Sequence, residues 1–144
     1  MVNLLIMSIF TILKQTTLLT IKRQRAMKHS EEQIKEIMLA LYEQLGRHRF
    51  VVMTGSKFTG YMENESGDLE QVIKLSKNKS GADKLIITYE EGKDTYSMRF
   101  IKSPKLNKKT FSFSEAKEVF FSSDIYAEQL QEVFTQVTGL YTHL

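Results

Sequence analysis

The chain has 144 residues, of which 42% are hydrophobic and 26% charged, and its formal net charge is +3. This length and balance favour one globular domain with its own core and argue against a wholly disordered chain. Because it has no cysteine, disulfides, thiolate metal sites and a cysteine nucleophile are excluded. The histidines, His29, His48 and His143, have no second ligand at helical spacing, so we predict neither a metal site nor a cofactor.

Residues 1–26 form an apolar and basic N-terminal extension. They carry four basic side chains and no acidic one, so the rest of the chain holds 16 basic and 17 acidic residues. Three interpretations stay open: a start placed upstream of the true Met27, a membrane anchor over residues 2–21, or a helix docked on the domain. An anchor has the required length of about 20 residues, but Lys14 within it costs roughly 3 kcal/mol on insertion. We expect residues 27–144 to form a single α+β domain, with membrane contact only if residues 2–21 are an anchor.

The first element of the domain is a capped helix. Ser30 and Gln33 have the spacing of a capping box, in which each side chain satisfies a free backbone donor of the other residue. Gly46 is typical of the residue that ends a helix. Between them, apolar residues recur at helical spacing: Ile34, Ile37, Met38, Leu41 and Leu45.

The middle of the chain has the patterns of strands. The valine-rich run Phe50–Thr54 predicts a short strand, residues 55–67 a polar loop, and Leu69–Ser76 a further strand. Residues 85–90 and 95–101 alternate around the turn "EEGKD", which predicts a β-hairpin. We expect its apolar residues to face in two directions, with Leu85, Ile87 and Tyr89 on one side and Tyr96, Met98 and Phe100 on another.

The C-terminal third predicts a strand and a second helix. Phe111 and Phe113 alternate with serines as in a strand, whereas residues 115–121 fit either a helical turn or a strand. Ser123 or Asp124 has the chemistry of a helix cap, and Gly139 that of a helix end. The apolar stripe between them is Tyr126, Leu130, Val133, Phe134 and Val137. We therefore predict an α+β fold: an antiparallel sheet of four to five strands, with an N-terminal and a C-terminal helix packed on one face.

Two candidate kinds of site are weak. The tetrapeptide "TGSK", residues 54–57, resembles a phosphate-binding loop, but it lacks the first glycine and a following helix. Carboxylates cluster in two predicted turns. Paired carboxylates can act as a general acid and base, but in a turn they are more often solvated surface groups. These are Glu63, Glu65 and Asp68, and Glu90, Glu91 and Asp94.

Basic residues near the predicted strand ends indicate contact with nucleic acid. Lysines and arginines interleaved with aromatic side chains suit single-stranded nucleic acid, because they contact phosphates while the rings stack on bases. Tyr61, Tyr89 and Tyr96 are the candidate stacking surfaces. The candidate nucleic-acid-binding residues are Arg47, Arg49, Lys57, Lys74 and Lys105.

Two segments carry a family resemblance. "RFVVMTG", residues 49–55, and "YAEQLQEVFTQVTGL", residues 126–140, resemble motifs of small uncharacterised proteins of bacteriophages, plasmids and other bacterial mobile elements. The chain departs from the family at Arg47, where the family tends to have glycine, and at Ser56 and Phe58. The resemblance implies a cytoplasmic protein carried by mobile DNA and assigns no activity.

The expected function is therefore that of a small non-enzymatic accessory or binding protein of a phage or mobile element. Its ligand would be nucleic acid, contacted through a local basic patch, or a phage or host protein. Two alternatives stay open. One is a small enzyme acting on nucleic acid or nucleotides, and the other is a protein-binding inhibitor of a host defence system, for which an exposed sheet edge suffices.

Overall fold

A five-stranded antiparallel sheet and three helices organise the chain, as a computed structural model of residues 28–142 shows. The helices are α1 (Glu31–Leu45), α2 (Arg47–Thr54) and α3 (Leu130–Thr138), with one 3-10 turn (Ala127–Gln129) before α3. The strands are β1 (Lys57–Glu63), β2 (Leu69–Lys74), β3 (Lys84–Glu90), β4 (Thr95–Lys102), β5 (Leu106–Asn107), β6 (Ser112–Phe113) and β7 (Lys117–Ile125).

The sheet runs in the order β1-β2-β3-β4-β7, and β5 and β6 form a separate small hairpin. Helices at both ends of the described chain accompany this antiparallel sheet, so the predicted α+β class is confirmed. The three interpretations of residues 1–26 and the candidate His143 lie outside the described residues. Within residues 28–142, no helix is both long enough and apolar enough to cross a membrane.

The capping box predicted at the start of α1 is confirmed. The Gln33 backbone N–H donates to Ser30 Oγ at 3.3 Å, and the Ser30 N–H donates to Gln33 Oε1 at 3.0 Å. At the other end, Gly46 has a φ of 121°, which side-chain-bearing residues rarely adopt. A Cβ on Gly46 would also lie 3.0 Å from Gln131 Nε2, the atom through which α3 reaches the Leu45 carbonyl. Glycine thus allows α3 to approach the end of α1.

The strand predicted at Phe50–Thr54 is wrong, because these residues belong to α2. Their β-branched valines favour a strand, but Phe50 and Thr54 are both buried, and their spacing of four residues places them on one helical face. The Thr54 hydroxyl donates to the Phe50 carbonyl at 2.6 Å, and Gly55 ends the helix in the left-handed conformation with a φ of 68°. Burial of one face therefore outweighs the intrinsic preference of the valines.

The loop predicted at residues 55–67 is also wrong, since β1 occupies most of it. Polar residues fit this strand because it lies at the edge of the sheet and most of its positions are exposed. The turn follows at residues 64–68, where Asn64 Oδ1 accepts the N–H groups of Ser66 at 3.0 Å and Asp68 at 2.9 Å. The predicted strand at residues 69–76 is confirmed as β2.

The predicted hairpin is confirmed as β3 and β4, but its apolar residues do not face in two directions. Leu85 lies opposite Phe100, Ile87 opposite Met98, and Tyr89 opposite Tyr96. Residues directly opposite in an antiparallel pair share a face. All six therefore lie on the side of the sheet that the helices cover.

Residues 117–121 of the segment with two predicted structures belong to β7, residues 115–116 precede it, and the predicted cap at Ser123 or Asp124 is wrong. Pairing with β4 continues to Ile125, which is buried, so the strand includes both candidate caps. The first helical turn begins after Tyr126, whose N–H donates to Gln129 Oε1 at 3.1 Å. Gly139 ends α3 with a φ of 76°, as predicted. The strand predicted around Phe111 and Phe113 is only the two-residue β6.

An aromatic cluster joins the layers of the fold. The ring centre of Phe50 on α2 lies 5.0 Å from that of Phe134 on α3. The ring centre of Phe134 lies 6.4 Å from that of Phe100 on β4. All three side chains are fully buried. Aromatic rings bury more apolar area than other side chains, so this cluster supplies much of the driving force that holds the helices on the sheet.

The helix at residues 47–54 predicts a contrast between two substitutions. Phe50→Ala should lower the free energy of unfolding by about 3–5 kcal/mol, because it removes a buried ring and leaves a cavity. Val52→Ala should change it by less than roughly 0.5 kcal/mol, because exposed positions tolerate substitution. Urea unfolding of both variants measures the difference. Equal losses would contradict the helix, since in a strand the two side chains would share a face.

Candidate nucleic-acid interface

Within residues 28–142, the sheet has one face that the helices cover and one face that they leave open. The covered face carries the apolar residues of β2, β3 and β4 that pack against the helices. The open face consists of the alternate residues of the same strands, among them Val72 and Lys74, Ile86 and Thr88, and Ser97 and Arg99. These residues line two hollows of the surface. Any ligand that binds the sheet must use this face or an edge.

Three lysines form a row across one end of the open face. Lys57 on β1 lies opposite Lys74 on β2, which lies opposite Lys84 on β3. Like charges directly opposite one another on a sheet repel and destabilise it. Within the described chain, none of the three forms an ion pair. An anion placed along this lysine row would therefore relieve the repulsion.

The lysine row borders a shallow hollow of about 300 Å³. Val72 and Thr59 line it beside Lys74 and Lys84, and Ser103 and Asp83 complete the rim. Asp83 Oδ1 accepts the Ser103 backbone N–H at 2.8 Å, so one lone-pair site of this carboxylate is occupied by the chain. The hollow is thus mainly basic and partly apolar.

The opposite end of the open face is acidic. A hollow of about 520 Å³ lies there, and Arg99 and Phe121 form one wall of it. The Arg99 guanidinium lies 5.2 Å from the centre of the Phe121 ring, and its Nε donates to Glu118 Oε1 at 2.8 Å. The carboxylates of the hollow are Glu65, Asp68, Glu70 and Glu90. An anion is attracted to the lysine end of the face and repelled at this end.

The structure divides the five predicted nucleic-acid-binding residues among three places. Lys57 and Lys74 are brought together in the lysine row. Arg47 and Arg49 lie on α2 in the helical layer, where Arg47 Nη2 pairs with Glu43 Oε1 at 3.4 Å. Lys105 is exposed in the connection between β4 and β5. The prediction missed how Lys84 completes the row, because only strand register brings it beside Lys74.

The predicted tyrosine stacking surfaces are placed differently. Tyr96 is only 5% exposed and packs against Tyr89, with ring centres 5.2 Å apart and the ring planes tilted by 46°. The Tyr89 hydroxyl donates to Asp94 Oδ1 at 2.6 Å, and this hydrogen bond raises the pKa of Tyr89 to about 12. Tyr61 is exposed, but it lies opposite Gln71, which belongs to the covered side of the sheet. These three tyrosines are not positioned beside the lysine row.

His29 forms a clamp with two of the predicted carboxylates rather than a metal site. Its Nε2 lies 2.8 Å from Glu91 Oε2 and its Nδ1 lies 3.3 Å from Glu63 Oε1. Since both carboxylates accept, both hydrogen bonds form when the ring carries a proton on each nitrogen. Glu63 also accepts the Lys28 backbone N–H at 2.8 Å. The clamp ties the residues before α1 to the acidic end of the sheet.

The turn predicted as a phosphate-binding loop has a structural role in the residues described. In the turn at residues 54–57, the Gly55 N–H donates to the Val51 carbonyl and the Ser56 N–H to Thr54 Oγ1, so both donors are already used. His48 is exposed on α2. Across residues 28–142, no group of three or more histidine, aspartate or glutamate side chains is arranged to hold a metal ion.

The perturbed ionisable groups are not poised for proton transfer near neutral pH. Burial raises the pKa of Tyr96, and the Asp94 hydrogen bond raises that of Tyr89 to about 12. The hydrogen bond from His29, opposed by partial desolvation, lowers the pKa of Glu91 below its ordinary value. Each shift strengthens the charge state that the group already has at neutral pH. A general acid or base would need the opposite change.

No protein-family model, curated protein or solved structure matches the chain. The geometry of the described residues is therefore the basis from which the function is inferred.

The His29 clamp predicts which substitutions alter the ionisation of Glu91. His29→Gln should raise the pKa of Glu91 toward 4.5, and Lys28→Gln should raise it less, because the His29 hydrogen bond is the largest cause of the lowering. Carboxyl-carbon NMR titration measures both. The folded-state pKa lies below the unfolded one, so the bond stabilises the fold above about pH 4.5 and its contribution is lost as the pH falls through the folded value. A larger effect from Lys28→Gln would contradict the clamp.

Proposed function

We propose that this protein is a binding protein that contacts the phosphates of nucleic acid through the basic end of its open sheet face. The observation that carries the proposal is the row Lys57–Lys74–Lys84, in which like charges occupy directly opposite positions on three neighbouring strands. These opposed like charges add no stability to the folded chain, whereas a polyanion bound along the row contacts three lysines at once. Release of counterions from the phosphates then supplies the free energy of binding.

The geometry of the row suits a phosphate backbone. Neighbouring strands are about 4.8 Å apart, so three lysines in register present their charges along roughly 10 Å. The flexible side chain of lysine lets each ammonium group adjust to the next phosphate. The hollow beside the row adds the apolar surface of Val72 and the hydroxyl of Thr59. These features support a surface that follows a backbone rather than a pocket for a single ion.

A binding role is better supported than the enzymatic alternative. The acidic hollow is polar and has room for acid–base chemistry, but two of its carboxylates are already engaged. Glu70 Oε2 accepts the Thr88 hydroxyl at 2.9 Å, and Glu90 Oε2 pairs with Lys93 Nζ at 3.7 Å. We retain the origin in a phage or mobile element, and the alternative of a host-defence inhibitor, as predictions that depend on the family resemblance.

A charge-matched pair of triple variants tests the proposal. One variant is Lys57→Gln/Lys74→Gln/Lys84→Gln, and the control, Lys35→Gln/Arg47→Gln/Arg49→Gln, removes the same charge from the helical layer. Fluorescence anisotropy with labelled oligonucleotides measures affinity across a salt series. The row variant should bind at least about tenfold more weakly at low salt, and the slope of log K against log salt should become shallower by about 2.

The control variant should keep both the affinity and the salt slope of the unaltered protein. Equal losses in the two variants would mean that only net charge matters and would contradict a localised interface. Binding by neither the unaltered protein nor the control at low salt would overturn the proposal altogether. Circular dichroism of each variant checks that the fold is retained.

A further inference from the structure

The β5–β6 hairpin carries the most exposed aromatic side chains of the described chain. Phe111 is 83% exposed and Phe113 71% exposed, and Leu106, which lies opposite Phe113, is 48% exposed. None of the three belongs to the hydrophobic core. Large apolar side chains gathered on one exposed element are typical of a contact surface, because their exposure to water gives the folded protein no stability.

The hairpin is nevertheless a formed structure. The Phe111 N–H donates to the Asn107 carbonyl at 2.7 Å, the Ser114 N–H to the Lys105 carbonyl at 2.9 Å, and the Lys105 N–H to Ser114 Oγ at 2.8 Å. Phe111 has a φ of 53°, a conformation that glycine or asparagine adopts at less cost. A phenylalanine thus occupies a turn position that folding alone would assign to a smaller residue.

The hairpin is attached to the basic end of the sheet. It lies in the connection between Lys102, the last residue of β4, and Lys117, the first residue of β7, and these two lysines are opposite each other. Because β4 runs antiparallel to β3, its last residues are at the end of the sheet where Lys84 begins β3. Three lysines lie within the hairpin segment, at positions 105, 108 and 109, and Glu115 is its one acidic residue.

We infer that the hairpin is the base-stacking element of the nucleic-acid interface, so that the ligand is single-stranded nucleic acid. The inference depends on the proposed function and deepens it. Phe111 and Phe113 present ring faces to unpaired bases, while Lys105, Lys108 and Lys109 contact the phosphates next to them. Bases of a duplex are paired and already stacked, so the rings gain contact with single strands alone. Stacking is tolerant of sequence because every base has an aromatic face.

The absence of tryptophan from the chain allows a direct test. Phe111→Trp introduces one fluorophore at the predicted stacking position. Tyr141→Trp is the control, because Tyr141 is 70% exposed beyond the end of α3 and carries no part of the proposed interface. The probes are an oligothymidylate of about 15 nucleotides, an abasic oligomer of the same length and a duplex.

Oligothymidylate should quench the fluorescence of Phe111→Trp and leave that of Tyr141→Trp unchanged. The abasic oligomer, which offers phosphates without bases, should bind without quenching. Equal quenching by the two oligomers would overturn the inference. So would a fluorescence change with anionic phospholipid vesicles and none with oligothymidylate, since aromatic and basic residues also suit a lipid surface.

A double variant separates this inference from the proposed function. Phe111→Ala/Phe113→Ala should weaken binding to oligothymidylate roughly tenfold or more and leave duplex and abasic binding unchanged. Equal weakening for all three ligands, or for none, would contradict stacking, whereas loss of salt-dependent binding in the lysine-row variant tests the proposed function alone. Since both phenylalanines are exposed, the urea midpoint should be unchanged, and this measurement excludes unfolding as the cause.

Discussion

Within residues 28–142 the helices cover one face of the sheet and leave the other open, and the other described features follow from this constraint. The ring of Phe134 contacts Phe50 on α2 and Phe100 on β4, so one buried aromatic cluster holds the helices against a single side of the strands. The alternate residues of the same strands are left on the open face. They combine partly buried aliphatic side chains with charges, because water reaches them.

Antiparallel register determines how those charges are distributed. Lysines at the end of β2 and the start of β3 become neighbours, and carboxylates near the other ends of these strands line one hollow. A chain that is nearly neutral beyond residue 26 thereby acquires one basic and one acidic end on the same surface. Net charge therefore says little about this protein, whereas strand pairing explains why a polyanion would meet attraction at one end alone.

Local chemistry made parts of the fold predictable, and long-range packing made other parts unpredictable. The capping box at Ser30 and the turn of the β3–β4 hairpin depend on residues close in sequence. The helix at Phe50 depends on contacts with Phe134, which valine propensity does not report. Likewise, Lys74 was predictable as a basic residue of β2, but Lys57 was placed beside a predicted strand that is α2, and the pairing of both with Lys84 required the register. Phe111 and Phe113 were both predicted as strand residues, although only Phe113 belongs to β6, because an alternating pattern does not show that both side chains are exposed.

The orientation of a ligand on the open face follows from the same charge pattern. A polyanion that ran along the strands from the lysine row would reach Glu70 and Glu90 within a strand length, about 20 Å. One that crosses the strands instead passes from Lys57 to Lys74 to Lys84, and that direction continues toward the end of β4 and its hairpin. For the proposed ligand, the acidic hollow would thus favour the direction in which the lysine row and Phe111 contribute together. In the proposed function, the lysines would supply sequence-independent affinity, and the aromatic rings would determine which strand form is preferred.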